Sequence, residues 1–148
     1  MNDLILILVG ALGAVLTFYV SESLKQGAVR ASALLSLIVG FFFYAFPEIL
    51  DPYLTKNIPL VFAGTSFIGM VSAQVTKSYG LLAIAGFLFG IVYINKSYFF
   101  DGYGGALGTL ACIALLATLG IYDRGTESIK TIKGIWLVKK DIFKGKDK

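Results

Sequence analysis

The chain has 148 residues, of which 57% are hydrophobic and only 15% charged, and its mean hydropathy is +0.80. A soluble domain carries about a quarter of its residues as charges, so this sequence lacks the material for a polar outer layer, and its composition points to lipid as the surrounding solvent. It has no histidine and a single cysteine, Cys112, which excludes imidazole general bases, Ser-His-Asp triads, HExxH zinc sites, histidine-ligated haem and any disulfide within the chain.

The net charge of +4 sits at one end. Up to Tyr122, the cations Lys25, Arg30, Lys56, Lys77 and Lys96 balance the anions Asp3, Glu22, Glu48, Asp51 and Asp101, so the whole excess belongs to residues 123–148. A basic tail beside apolar segments is the pattern of the positive-inside rule and of contact with anionic lipid. The bilayer is therefore the expected partner, and nucleic acid is not.

Five apolar runs follow one another, each near the lower edge of the roughly 17–25 residues needed to span a bilayer. The first, 4–20, is closed by Ser21-Glu22-Ser23. It lacks the basic leader of a signal peptide and exceeds the usual apolar length of about 7–15 residues, so it reads as a retained helix. The second, 31–46, ends at Pro47-Glu48 and continues a stripe of Ala28, Ser32, Ser36 and Gly40 at four-residue spacing.

The third run, 58–75, is the most polar. As one continuous helix it would carry Thr65, Gly69, Ser72 and Thr76 at i, i+4, i+7 and i+11, a single face. With Ser66 and Gln74, these are the candidates for lining a water-filled path or coordinating a desolvated ion. The competing reading is structural, because Ser and Thr also bond the preceding backbone turn or join neighbouring helices. The fourth run, 79–94, has Gly86 and Gly90 four apart, and the fifth, 103–122, has Gly104 and Gly108, extended by Cys112.

Small residues at this spacing let helix backbones approach closely. Ser32, Ser36, Gly40, Gly86, Gly90, Gly104 and Gly108 are therefore the candidate helix-packing and subunit-interface positions, and a homo-oligomer is expected of a chain with so little interior. A Gly-Ala-Leu-Gly tetrapeptide occurs at 10–13 and again at 105–108, a match that chance readily produces in a chain rich in these residues.

In the tail, Ile129, Ile132 and Trp136 fall at i, i+3 and i+7 among Lys130, Lys133, Lys139 and Lys140. That spacing reads as an amphipathic segment on the inner leaflet or a surface for a protein partner. Lys25, Arg30 and Lys77 then lie in inner loops, with Lys56, Lys96 and the acidic Glu48, Asp51 and Asp101 outside. This arrangement puts the N-terminus outside a cell membrane, the C-terminus in the cytoplasm, and the aromatic clusters at 41–46 and 98–103 at the outer interface. No ionisable residue lies mid-span, which argues against a proton-coupled pump or cation exchanger.

The layout of the first four runs resembles that of the small fluoride channels of bacteria, with a Gly-rich first helix, a small-residue second and Thr65-Ser66-Phe67 in the third. The first helix lacks that family's Gly-x-x-x-Arg pattern, the second has no buried Asn, the Thr/Phe box is shorter, and a fifth run is extra. Membership is not assigned; the resemblance implies only that fluoride belongs among the ions to be tested.

The sequence thus predicts an all-α polytopic membrane bundle over residues 1–122, with about five short transmembrane helices, small-xxx-small packing, and a basic amphipathic tail over 123–148. The expected function is a small ion or solute channel or transporter, not an enzyme, and no cofactor or metal is expected. The alternatives are a non-transporting anchor or regulatory subunit acting through its tail, and a membrane-disrupting effector of the holin or toxin kind.

Overall fold

The computed structural model describes residues 2–76, 78–95 and 105–124. Residues Met1–Thr118 form one compact unit; the second, Leu119–Lys148, is described only as far as Arg124. The described residues form five helices and no strand: α1 (Asn2–Glu22), α2 (Ala28–Ala45), α3 (Pro52–Gly69), α4 (Tyr79–Ile94) and α5 (Ala106–Arg124). Helices α1, α2 and α5 are long and apolar enough to cross a membrane by length and composition, and α4 is a shorter apolar helix of 16 residues. The basic tail beyond Arg124 lies outside the described residues.

Local chemistry sets most of the boundaries. Helix α1 opens with Asp3 in its first turn, where a carboxylate meets the positive end of the helix dipole. It ends at Glu22, and the chain reverses through Lys25 and Gly27 at φ 51° and 82°. Gly27 adopts this left-handed conformation without the Cβ penalty that Lys25 bears. Helix α4 is capped by Ser78, whose hydroxyl accepts from the Leu81 N–H at 3.4 Å.

The third helix differs from the sequence expectation. It occupies Pro52–Gly69, not 58–75, and the reasons lie at its two ends. Pro52 stands in the first turn, where its missing N–H leaves no bond unmade. Asp51-Pro52 is therefore a helix start, and Lys56 and Pro59 fall inside the helix. At the other end, the Met70 N–H bonds the Phe67 carbonyl and the Val71 N–H that of Ile68, a tightening of the last turn. Beyond it, the Ser72 and Thr76 hydroxyls accept from the backbone N–H groups of Gln74 and Ser78. Short hydroxyl side chains that capture local donors in this way compete with helix continuation.

Contacts between helix ends define the topology. Asn2 donates to Asp51 at 3.3 Å and Tyr53 to Asp3 at 3.4 Å, which joins the starts of α1 and α3. The Phe18 and Tyr79 rings meet edge to face at 5.5 Å, and Ser23 lies 3.4 Å from the Tyr79 hydroxyl, which joins the end of α1 to the start of α4. Helices α1 and α3 therefore run one way, and α2 and α4 the other.

Helix α1 is the central element. Leu6, Gly10, Gly13, Ala14, Thr17, Phe18 and Ser21 are buried at three- and four-residue intervals, the period of one helix face. Its Leu6, Ala14 and Phe18 join Leu54, Ile58, Val61 and Ile68 of α3, Leu82, Ala85, Phe89 and Tyr93 of α4, and Leu110, Ala111 and Ala114 of α5 in one core. The opposite face of α1, from Leu4 through Leu8, Leu12 and Leu16 to Tyr19, is exposed. Helix α2 buries only Ala31 and Ser32 and leaves Leu37 and Phe41 each 68% exposed. Large apolar residues open on whole helix faces are compatible with a hydrocarbon surround.

Candidate functional site

Polar atoms inside this bundle concentrate where α3 meets α1 and α2. The α1–α3 contact is an exchange of small and hydroxyl residues. A Cβ placed on Gly13 of α1 would fall 2.5 Å from the Thr65 hydroxyl, and one placed on Gly69 of α3 would fall 2.6 Å from the Thr17 Cβ. Gly13 thus faces Thr65, and one turn along both helices Thr17 faces Gly69. Each threonine occupies the space that the opposing glycine leaves.

The α2–α3 contact is a serine cluster. The Ser66 hydroxyl donates to the Ala63 carbonyl at 2.7 Å and accepts from Ser32 at 2.7 Å and from Ser36 at 3.4 Å. One donor and two lone pairs are all that a hydroxyl offers, so Ser66 is saturated. Thr65, fully buried, turns its hydroxyl back onto the carbonyls of Val61 and Phe62 at 2.9 and 3.2 Å. Thr17 is equally buried, yet its hydroxyl has no partner. Nearer the opposite end, the Tyr93 hydroxyl of α4 donates to the Asn57 side-chain oxygen Oδ1 at 2.8 Å, while the Asn57 side-chain Nδ2 donates to the Tyr53 backbone carbonyl.

Of the expected path-lining residues, Thr65, Ser66 and Gly69 are brought together on α3 and buried. Ser72, Gln74 and Thr76 lie beyond the helix end, with Ser72 and Gln74 exposed and Thr76 buried. The four-residue face of Thr65, Gly69, Ser72 and Thr76 is therefore not formed, because the helix that would carry it stops at Gly69.

The small-residue positions divide in a similar way. Gly86 lies so close to Gly10 that an added Cβ would collide with the Gly10 carbonyl oxygen, and a Cβ on Gly90 would fall 2.8 Å from the Ile7 Cα. Ser32 and Ser36 join the serine cluster. Gly40 and Gly108 have open space where a Cβ would stand. Gly104, Lys130, Lys133, Trp136, Lys139 and Lys140 lie outside the described residues.

Sequence reasoning missed Thr17 and the Asn57–Tyr93 pair. The Gly13-x-x-x-Thr17 spacing mirrors Thr65-x-x-x-Gly69 and was the available signal for the first. Asn57 gave none, since it falls before the run taken as helical. Chemically, the seam offers neutral hydroxyl and carbonyl oxygens and no charge. Among the described residues no three of His, Cys, Asp and Glu converge on a metal position. Compared with known proteins, the chain matches no family model, no curated protein and no solved structure.

Proposed function

We propose that this chain is a multi-pass integral membrane protein that assembles as an oligomer and passes a small ion or solute along the polar seam of α3. The observation that supports the reading is the set of hydroxyls of Thr17, Ser32, Ser36, Thr65 and Ser66 gathered between α1, α2 and α3 in an otherwise apolar bundle. Polar groups inside a membrane-spanning bundle are costly and mark solute paths more often than chance placement would. The small residues pack the helices, the N-terminus lies outside a cell membrane, and the basic tail holds the inner leaflet.

The saturated Ser66 hydroxyl favours a second reading, in which the seam is glue and the protein is a non-transporting membrane subunit. Liposome flux separates the two. Purified protein is reconstituted and tested for passage of K⁺, Na⁺, H⁺, Cl⁻ and F⁻. The pathway reading expects selective flux that Thr65→Val alters while the helical far-UV spectrum is kept. Folded protein that passes none of the five above empty liposomes sinks the reading for these ions and leaves the subunit in its place.

A further inference from the structure

The lipid-facing strip of a membrane helix is bounded by the first exposed polar side chains at its two ends, because hydrocarbon does not solvate them. On α3 these bounds are close together. Its exposed side carries Lys56, Leu60 and Phe67 at i, i+4 and i+11, one face of the helix. The helix stops two residues after Phe67, at Gly69, and exposed Ser72 and Gln74 follow in the turn beyond it. Thirteen residues separate Lys56 from Gly69, about 20 Å at 1.5 Å per residue.

Contacts with α1 show that this strip is inset at both ends. Tyr53, three residues before Lys56, reaches Asp3 at the start of α1. Gly69 lies beside Thr17, five residues before α1 ends at Glu22. The exposed charges Asp3 and Glu22 bound α1 at about 28 Å, and the exposed caps Ser78 and Asn95 bound α4 at about 26 Å, so α3 is shorter than both. The hydrocarbon core of an ordinary bilayer is about 30 Å thick, and tilting a helix only shortens its vertical reach. A lysine stem can snorkel toward the headgroups, but the shorter Ser72 and Gln74 side chains have less reach. An ordinary bilayer therefore leaves polar groups of α3 in hydrocarbon, which is costly.

We propose that the face of α3 around Leu60 and Phe67 is a site of local bilayer thinning, where phospholipid headgroups settle to the depths of Lys56 and Gln74. The partner it fits is a phospholipid with short acyl chains, whose phosphate is the counter-charge of the Lys56 ammonium. Lipids of ordinary chain length must bend or compress beside α3, at a cost that grows with each ångström of mismatch. The inference rests on the membrane-embedded part of the reading above and is independent of whether any ion passes.

The test uses the full chain in nanodiscs of phosphatidylcholine with monounsaturated chains of fourteen, eighteen or twenty-two carbons, after carbonate extraction of vesicles has checked that it is embedded. Protein that carbonate strips away refutes the embedded reading itself, and the proposal with it. For embedded protein, the melting temperature by far-UV circular dichroism should be highest in the fourteen-carbon lipid and at least about 4 °C lower in the twenty-two-carbon one. Lys56→Leu lengthens the apolar strip and should at least halve that difference, whereas Lys56→Arg keeps it. In a Cys112→Ala background, Lys56→Cys and Gln74→Cys should react with a water-soluble maleimide in the eighteen-carbon lipid, and Leu60→Cys should not. A melting temperature that is flat or rises with chain length, or a difference that Lys56→Leu leaves intact, overturns the proposal. So does a lack of labelling of Lys56→Cys and Gln74→Cys at every chain length, which would mean that protein, such as a second copy of the chain, covers this face.

Discussion

Replacing Gly86 by alanine adds one methyl group at the closest approach of α1 and α4. The new carbon would collide with the Gly10 carbonyl oxygen and stand 2.9 Å from both the Ala11 Cα and the Gly10 carbonyl carbon. All three neighbours are backbone, so no side chain can swing aside. Normal contact of about 3.5–4.0 Å requires the two helices to separate by a good fraction of an ångström. Such separation loosens the neighbouring contacts of Gly90 with Ile7 as well.

Overpacking of this kind costs typically 1–3 kcal/mol, and the absence of any soft neighbour puts Gly86→Ala at the upper end, about 3 kcal/mol. At roughly 2–4 °C per kcal/mol for a chain of this size, the melting temperature should fall by about 6–12 °C. Far-UV circular dichroism in detergent reads it. Gly40→Ala is the matched control, because a Cβ there meets nothing within 4 Å and alanine is the better helix former by about 1 kcal/mol. It should leave the melting temperature unchanged or raise it. Equal, small effects at the two positions would refute the Gly10–Gly86 crossing and the central place of α1.

Further outcomes follow from the seam and the topology. Ser66→Ala leaves Ser32 and Ser36 without their acceptor and should destabilise by about 1–3 kcal/mol, and the Ser32→Ala/Ser66→Ala double variant should cost less than the two singles together in the same melt. Tyr93→Phe removes the bond to Asn57 and should cost about 1 kcal/mol; no loss would mean that this bond adds nothing. Ser72→Leu, in an exposed turn, should shift stability by no more than about 0.5 kcal/mol; a large loss would return Ser72 to the interior. In a Cys112→Ala background, Asp3→Cys and Glu48→Cys should react with an impermeant maleimide from outside intact cells, and Lys25→Cys only after permeabilisation. Labelling of all three from one side would refute the crossing of α1 and α2.

Much of the fold was legible because apolarity is a property of residues themselves. Runs of Leu, Ile, Val, Phe and Ala between polar breaks located α1, α2, α4 and α5, with α4 at its expected residues and the others within about three residues at each end, whereas α3 lies six residues earlier than its run. The candidate site was less legible. A helical period can be drawn through any stretch of suitable letters, and it ran through Ser72 and Thr76, whose hydroxyls instead bind their own turn. Which way a serine or threonine commits its hydroxyl depends on the competition between helix continuation and local capture.

By itself, then, the sequence determined the helical class, the apolar character and the absence of charge from the interior of the seam, since these depend on what each side chain is. Tertiary structure decided which small residues matter. Gly86 and Gly40 are the same letter in similar helical stripes, yet one meets a neighbouring backbone and the other meets nothing. It also decided that Thr17, in a run that reads as plain hydrocarbon, faces the end of α3 with its hydroxyl unengaged. The value of a missing Cβ or a spare hydroxyl lies in what another helix places beside it, and that is set only when the helices cross.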